Sequence, residues 1–355
     1  MKKVSIATYC TWTSYGSMYQ SLALSSFLSS LGCDTALIRL SNENSSTYQP
    51  RLSRKNIKGF ASFFFSLLIQ KKTRRRYFLS CNFLSKRYHF SEYPNYRALF
   101  QAPPSTDFYI AGSDQIWHPR LNRPDFLLDF VQDPTKKISY AASMGDLNIP
   151  EDKKDSWFQK VDSFRHISVR EKDVAQLIQS KLNRDVAVHI DPTFLMDQSF
   201  WRSLEMPYRI KEPYILLYAI YWDKSKNAEL KALHRRTGMP VIAVSSGLQL
   251  VYANKRIYDA SPQEFLWLVD HASYVVTSSF HGVAFSLIFN KRFSAVVNPA
   301  LPSRINSLLD VLEVSNKQIS ELDTTPSIDY SKINRNIEKE RQRAHDYLTG
   351  AIYGS

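Results

Sequence analysis

Cysteine is scarce in this 355-residue chain, with only Cys10, Cys33 and Cys81 present. None stands at metal-ligand spacing and one is left over from any pairing, so a disulfide framework and a bound metal are not expected. An odd set of free thiols fits a reducing, cytoplasmic setting. No apolar run approaches the ~20 residues that a spanning helix needs. The opening MKKVSIATYC turns polar too early for a signal peptide and reads as a strand entering a loop. Glycine is sparse as well, and none of the ten falls in a GxGxxG nucleotide fingerprint. Acidic residues are missing altogether from residues 51–90, which hold eleven Lys or Arg. That stretch carries most of the formal net charge of +13, so the remainder is close to neutral. A local basic patch, without zinc-finger spacing or an RNA-binding signature, argues against nucleic acid as a partner.

What is present is an α/β pattern, repeated. With 44% apolar residues and 13% aromatics, the chain can bury two cores. A strand at 4–9, a loop with Ser14, Tyr15, Gly16 and Ser17, a helix ending before Gly32 and a strand at 35–40 make a βαβ opening. Further strands fall at 107–111, 137–144, 166–169 and 186–191. The first of these runs into Gly112, Ser113, Asp114 and Gln115, a close turn with helix-capping side chains whose backbone N–H groups can meet a ligand. Arg170 follows the third, on the same sheet edge, ahead of a helix at 171–182. It reads either as an anion-binding residue or as an ordinary ion-paired arginine. Asp191-Pro192 then marks a break. From Tyr214 the pattern restarts, with a strand at 214–220, a helix at 225–236 and a strand at 240–244. The expected division is residues 1–195 with a basic insertion at 51–90, then 196–330, then a C-terminal helix docking back. That helix, at 331–350, shows one stripe of Ile333, Ile337, Ala344 and Leu348. Two doubly wound, Rossmann-like domains facing a cleft is the expected architecture.

The most informative stretch is SPQEFLWLVDHASYVVTSSFHGVAFSLIFNKRFSAVV, residues 261–297. Ser261 and Glu264 have capping-box spacing, with Pro262 at the first helical position. A buried strand at 274–277 feeds Ser278, Ser279, Phe280, His281 and Gly282, and a helix is expected at 283–289. The loop falls at the carboxyl edge of the sheet, where free helix N–H groups receive anions. His281 is a candidate acid, with a helix-capping or core role as the competing reading. Arg304, 23 residues on, opens another apolar helix near the same edge. In the basic stretch, Phe60 to Ile69 followed by Lys71, Lys72, Arg74, Arg75 and Arg76 reads either as a peripheral contact with the inner face of a membrane or as a packed helix with a solvated basic end.

The segments TSYGSMYQSLAL, FYIAGSDQIWHP, ISYAASMG, ISVREKD, HIDPTFLMD and VVTSSFHGVAFSLIFNKRF, in that order along the chain, resemble the polysaccharide pyruvyl transferase family. One departure is Ser14-Tyr15-Gly16, where such families usually show an Asn at the first position. The resemblance implies a fold like that of the GT-B glycosyltransferases. It also implies transfer of a pyruvyl group from phosphoenolpyruvate to two hydroxyls of a sugar or a lipid-linked oligosaccharide, with release of phosphate and no cofactor. On that reading His281 and Asp114 are the acid/base candidates. Arg170, Arg304, Ser278, Ser279 and Gly282 face the donor, and Gly16, Ser17, Gly112, Ser113 and Gln115 line the remaining substrate space. A nucleotide-sugar glycosyltransferase and a non-catalytic binding subunit are the alternatives.

Overall fold

The structure, a computed structural model, describes every residue except 42–59, 122, 212, 245–250, 300–302, 325–327 and 355, and omits the side chains of 60–68 and 303. Strands β1 (Lys2–Ala7), β2 (Cys33–Leu40), β3 (Phe90–Tyr93), β4 (Phe108–Ala111) and β5 (Lys137–Ser139) form a parallel sheet in the order β3-β2-β1-β4-β5. Two short strands, β6 (Ser168–Val169) and β7 (Ala187–Val188), pair with each other and continue that sheet through bridges from Ile138 to His166 and from Ala142 to Val169. Strands β8 (Ile215–Tyr218), β9 (Val241–Val244), β10 (Lys255–Ile257), β11 (Tyr274–Thr277) and β12 (Arg292–Ala295) build a second parallel sheet in the order β10-β9-β8-β11-β12. The two orders are the same. Each reverses direction at its middle, between β1 and β4 and between β8 and β11, and there a crevice opens outside the strand carboxyl ends.

The buried positions of the central strands are mostly apolar, as parallel strands covered on both faces require. Ile6, Ile110, Ile138, Val275 and Leu216 are all buried. Ala141, at φ 48°, turns the chain sharply after β5, which ends that strand earlier than the apolar run to Met144 predicts. The edge strands β3 and β10 were not expected; they are short and partly exposed, so they carry little apolar signal.

Aromatic rings weld the two halves behind the crevices. Tyr15 and Tyr19, on the helix Tyr15–Ser30, meet residues of the second half: Tyr15 stacks on Phe265 with centroids 4.2 Å apart, and Tyr19 packs edge-on against Phe285 at 4.9 Å. The Tyr15 hydroxyl donates to the Ala260 carbonyl at 2.6 Å. Buried aromatic pairs of this kind contribute about 0.5–1.5 kcal/mol each beyond their area, so the halves are held in one relative position on this side.

The C-terminal helix, Tyr330–Tyr353, buries Ile333, Ile337, Ala344 and Leu348, the stripe its spacing predicts. It touches both halves. Asn336 donates to the Leu312 carbonyl, while Arg341 donates to the Phe194 carbonyl and Tyr347 to that of Ser139.

The basic stretch forms a long helix, Phe60–Arg87. Of the apolar stretch offered to a membrane, Phe60 to Ile69, all but Ile69 lies outside the described side chains. Among the cations after it, Lys71, Lys72, Arg74 and Arg75 are exposed, Arg75 pairing with Glu264 at 2.8 Å, and Arg76 is buried. Among the described residues no helix is long and apolar enough to cross a membrane.

Candidate functional site

The loops after β1, β4 and β6 of the first sheet meet the loop after β11 of the second, and most of the candidate residues converge there. The helix Phe280–Ile288 starts three residues earlier than its apolar pattern predicts, because Ser279 takes the capping position and its Oγ accepts from the Gly282 N–H at 3.4 Å. His281 therefore stands in the first helical turn rather than in the preceding loop. Gly282 packs on Thr277: a Cβ there would lie 2.1 Å from Thr277 Oγ1.

His281 is wedged between the halves. Its Nε2 lies 3.5 Å from Asp191 Oδ2, within ion-pair distance but without an aligned hydrogen bond. On its other side a Cβ added to Gly16 would fall 2.0 Å from Nδ1. Gly16 is thus needed for the close approach of a ring and not for an unusual backbone. A methyl group forced into this buried contact costs about 1–3 kcal/mol, so Gly16→Ala is expected to lower the melting temperature while displacing the imidazole and lowering turnover. Unchanged turnover in the folded Gly16→Ala protein would show that the ring position does not matter.

Asp191 is the hub, and only its place before Pro192 had drawn attention to it. It is fully buried. Its Oδ1 accepts from the backbone N–H and hydroxyl of Thr193 at 3.0 and 2.9 Å; its Oδ2 accepts from Arg170 Nη1 at 2.8 Å and from Ser113 Oγ at 3.2 Å. Burial alone would raise its carboxyl, but the His281 ring, the Arg170 guanidinium and the Thr193 N–H outweigh it and hold the group well below the usual carboxylate range. Asp191 closes the strand expected at 186–191, on the same sheet edge as Arg170, so the edge rule that singled out Arg170 applied equally to it; in the structure β7 ends at Val188 and Asp191 follows it as the cap of the short helical turn Pro192–Leu195.

Arg170 also bonds Glu171 through Nε at 3.3 Å, and its guanidinium lies 4.1 Å from the Phe280 ring centroid. Arg304, on the helix Ser303–Val311, lies 5.5 Å from the same ring and reaches across the crevice to Asp114 Oδ1 at 3.2 Å. Both arginines keep a buried nitrogen with no hydrogen bond, Nη2 in Arg170 and Nε in Arg304. These residues, with Asp191, Phe280 and Lys172, line a cavity of about 120 Å³.

The other candidates hold the loops in shape. Ser113 is buried and belongs to the Asp191 network. Asp114 caps no helix: it sits at φ 70°, and its Oδ1 takes the Gln115 N–H as well as Arg304. Gly112 packs closely on Thr8, and the Gln115 side chain lies over Gly145, where a Cβ would meet it at 1.9 Å. Ser17 closes the loop after β1 through Thr11 and Ser14. Ser278 faces away from the crevice chemistry, since its Oγ accepts from the N–H groups of Ile220 and Tyr221. Among the described residues one cluster has metal-ligand geometry, Glu205, Asp270 and His271, in side chains distinct from all of these.

The family model for polysaccharide pyruvyl transferase matches residues 15–299. No curated protein matches the chain. Among solved structures, a putative UDP-N-acetylglucosamine 2-epimerase from Listeria monocytogenes is similar, with a TM-score of 0.54 and 9% identity over 100% of this chain and 98% of that one. A UDP-GlcNAc 2-epimerase from Neisseria meningitidis, bound to UDP-GlcNAc, gives 0.51 and 10% identity over 98% and 99%. An alpha-glucosyltransferase in complex with UDP and DNA gives 0.51 and 11% over 98% and 95%. At such identities the likeness shows the fold alone, the two-domain Rossmann-like GT-B arrangement.

Proposed function

Because this chain belongs to the polysaccharide pyruvyl transferase family, a family of transferases, we propose that it moves a pyruvyl group from phosphoenolpyruvate to two hydroxyls of a sugar. The sugar belongs to a cell-surface polysaccharide or its lipid-linked precursor. The observation that carries this reading is the pair of arginines flanking Phe280, each with a buried nitrogen lacking any partner. An unsatisfied buried donor costs about 1–3 kcal/mol, and a small, dense dianion supplies the missing oxygens. Planar guanidinium forks suit carboxylate and phosphate alike.

In this reaction the donor's methylene carbon takes a proton and becomes a methyl group. One sugar hydroxyl adds to the neighbouring carbon, the carbon–oxygen bond to phosphate breaks, and a second hydroxyl adds to close the ketal. The two hydroxyl protons balance the one gained by the methyl group and the one that leaves with phosphate. We assign His281 to proton exchange, with the Asp191 carboxylate 3.5 Å from its Nε2 supporting the ring from one side. Asp114, engaged by Arg304, positions that arginine across the crevice.

Calorimetric titration with phosphoenolpyruvate tests the reading. Lysine at either arginine keeps the charge and loses the fork, so Arg170→Lys and Arg304→Lys should each bind the donor about tenfold more weakly, roughly 1.4 kcal/mol. Wild-type affinity in both variants would remove the arginines from donor binding.

A further inference from the structure

The helix Phe60–Arg87 contains no Asp or Glu, and its described side chains sort by face. Arg76, Ser80, Phe83 and Leu84 are buried. Lys71, Arg74, Arg75, Phe78 and Lys86 are exposed, and their spacing of three and four residues puts them on one stripe of the helix. Lys72, also exposed, flanks that stripe. Among the described residues, Lys71, Lys72, Arg74 and Lys86 enter no ion pair. In the midst of these cations stands a phenyl ring, Phe78, that is 60% exposed.

The stripe belongs to a fixed platform. On the first half, Arg76 donates to the Thr13 carbonyl at 2.8 Å; on the second, Arg75 donates to the Asp259 carbonyl at 2.6 Å and pairs with Glu264 at 2.8 Å. A partner therefore meets a backbone already ordered and loses little affinity to ordering it. Positive charge also continues beyond the helix, since Lys72 and Arg75 line an open hollow of about 520 Å³ together with Arg209 and Lys255. The two carboxylates of that hollow are already engaged, Glu264 by Arg75 and Asp259 by the Tyr208 hydroxyl at 2.9 Å. A surface of one sign over this extent calls for a partner that presents many negative charges. A nucleic acid strand fits a groove that tracks its backbone and offers a series of rings to its bases. This face is the outward side of a helix with a single ring. Cations around one exposed aromatic suit a lipid surface, where the charges meet headgroups and the ring enters the interface.

We propose that this helix face is a docking surface for an anionic lipid bilayer, with Lys71, Lys72, Arg74 and Lys86 on the headgroup phosphates and Phe78 between them in the interface. None of these residues is assigned to the donor, and vesicle binding needs no phosphoenolpyruvate, so failure of the donor reading leaves this surface untouched.

Sedimentation of the full-length protein with vesicles is the test. Phosphatidylcholine vesicles containing phosphatidylglycerol should bind it, vesicles of phosphatidylcholine alone should not, and the binding should fade between about 0.05 and 0.5 M salt as exposed charges are screened. Each cation near an anionic surface adds roughly fivefold in affinity. The triple variant Lys71→Gln, Lys72→Gln, Arg74→Gln should therefore bind the anionic vesicles at least about thirtyfold more weakly. All three side chains are exposed, so its melting temperature should stay at the wild-type value. Phe78→Ser keeps every charge and should bind the same vesicles about threefold or more weakly, which separates insertion of the ring from charge alone. Unchanged vesicle affinity in either variant would overturn the proposal, as would equal binding of wild type to charged and uncharged vesicles. Tighter binding to single-stranded RNA than to the anionic vesicles at the same salt would overturn it in favour of nucleic acid.

Discussion

His281→Gln is expected to fold, to melt near the wild-type temperature and to bind phosphoenolpyruvate within a small factor of wild type, while its turnover collapses. Removing a general acid lowers the rate by about 10² to 10⁴, roughly 3–5 kcal/mol of barrier. Losing one contact at a helix end costs only about 1 kcal/mol of stability. The ring accepts no backbone N–H as a cap; Ser279 does that work, and the imidazole instead bridges Asp191 and Gly16. A structural role would therefore appear as an earlier melting transition with near-normal turnover. Phosphate release and thermal unfolding measured on one preparation separate the two, and a stable variant within tenfold of wild-type turnover would take His281 out of the chemistry.

Asp191→Asn should be the most destabilising single change in the crevice. It keeps the shape of the side chain and removes the charge that faces Arg170, which is itself buried. Removing one partner of a buried ion pair costs about 3–5 kcal/mol, moderated here because Glu171 still accepts from Arg170 Nε. The effect has a pH signature. The folded-state pKa of Asp191 is depressed below its unfolded value of about 3.9, so its stabilising contribution is complete above that value and is lost as the pH falls toward the folded pKa. In urea unfolding the gap between wild type and Asp191→Asn should be widest near pH 7 and begin to narrow below about pH 5. A gap that stays constant down to about pH 3.5 would mean that the carboxylate's charge is not what stabilises the fold.

Local signals in the sequence were legible where local physics decides the outcome. Ser261 and Glu264 form the capping box their spacing announces, with Glu264 Oε2 accepting the Ser261 N–H at 2.7 Å. The stripe on the C-terminal helix was readable for the same reason, since 3.6-residue periodicity needs no knowledge of the partner. Legibility failed where tertiary contact decides. Ser278 resembles a ligand-facing serine until the loop after β8 is folded against it. Asp191 reads as a chain break until Arg170 and His281 arrive from distant positions. Arg75 and Arg76, neighbours in one basic run, end in opposite settings because a helix turns them about 100° apart.

Transfer of label from carboxyl-labelled phosphoenolpyruvate is the most direct measurement of the central claim. The protein would be incubated with the donor and a panel of free, phosphate-linked and lipid-linked glycosides, and label in the glycoside would be counted against phosphate released. The account predicts one phosphate for each label transferred, into an acid-labile ketal, with the transfer abolished in His281→Gln. Label from a sugar nucleotide entering the glycoside, while none enters from phosphoenolpyruvate, would contradict it.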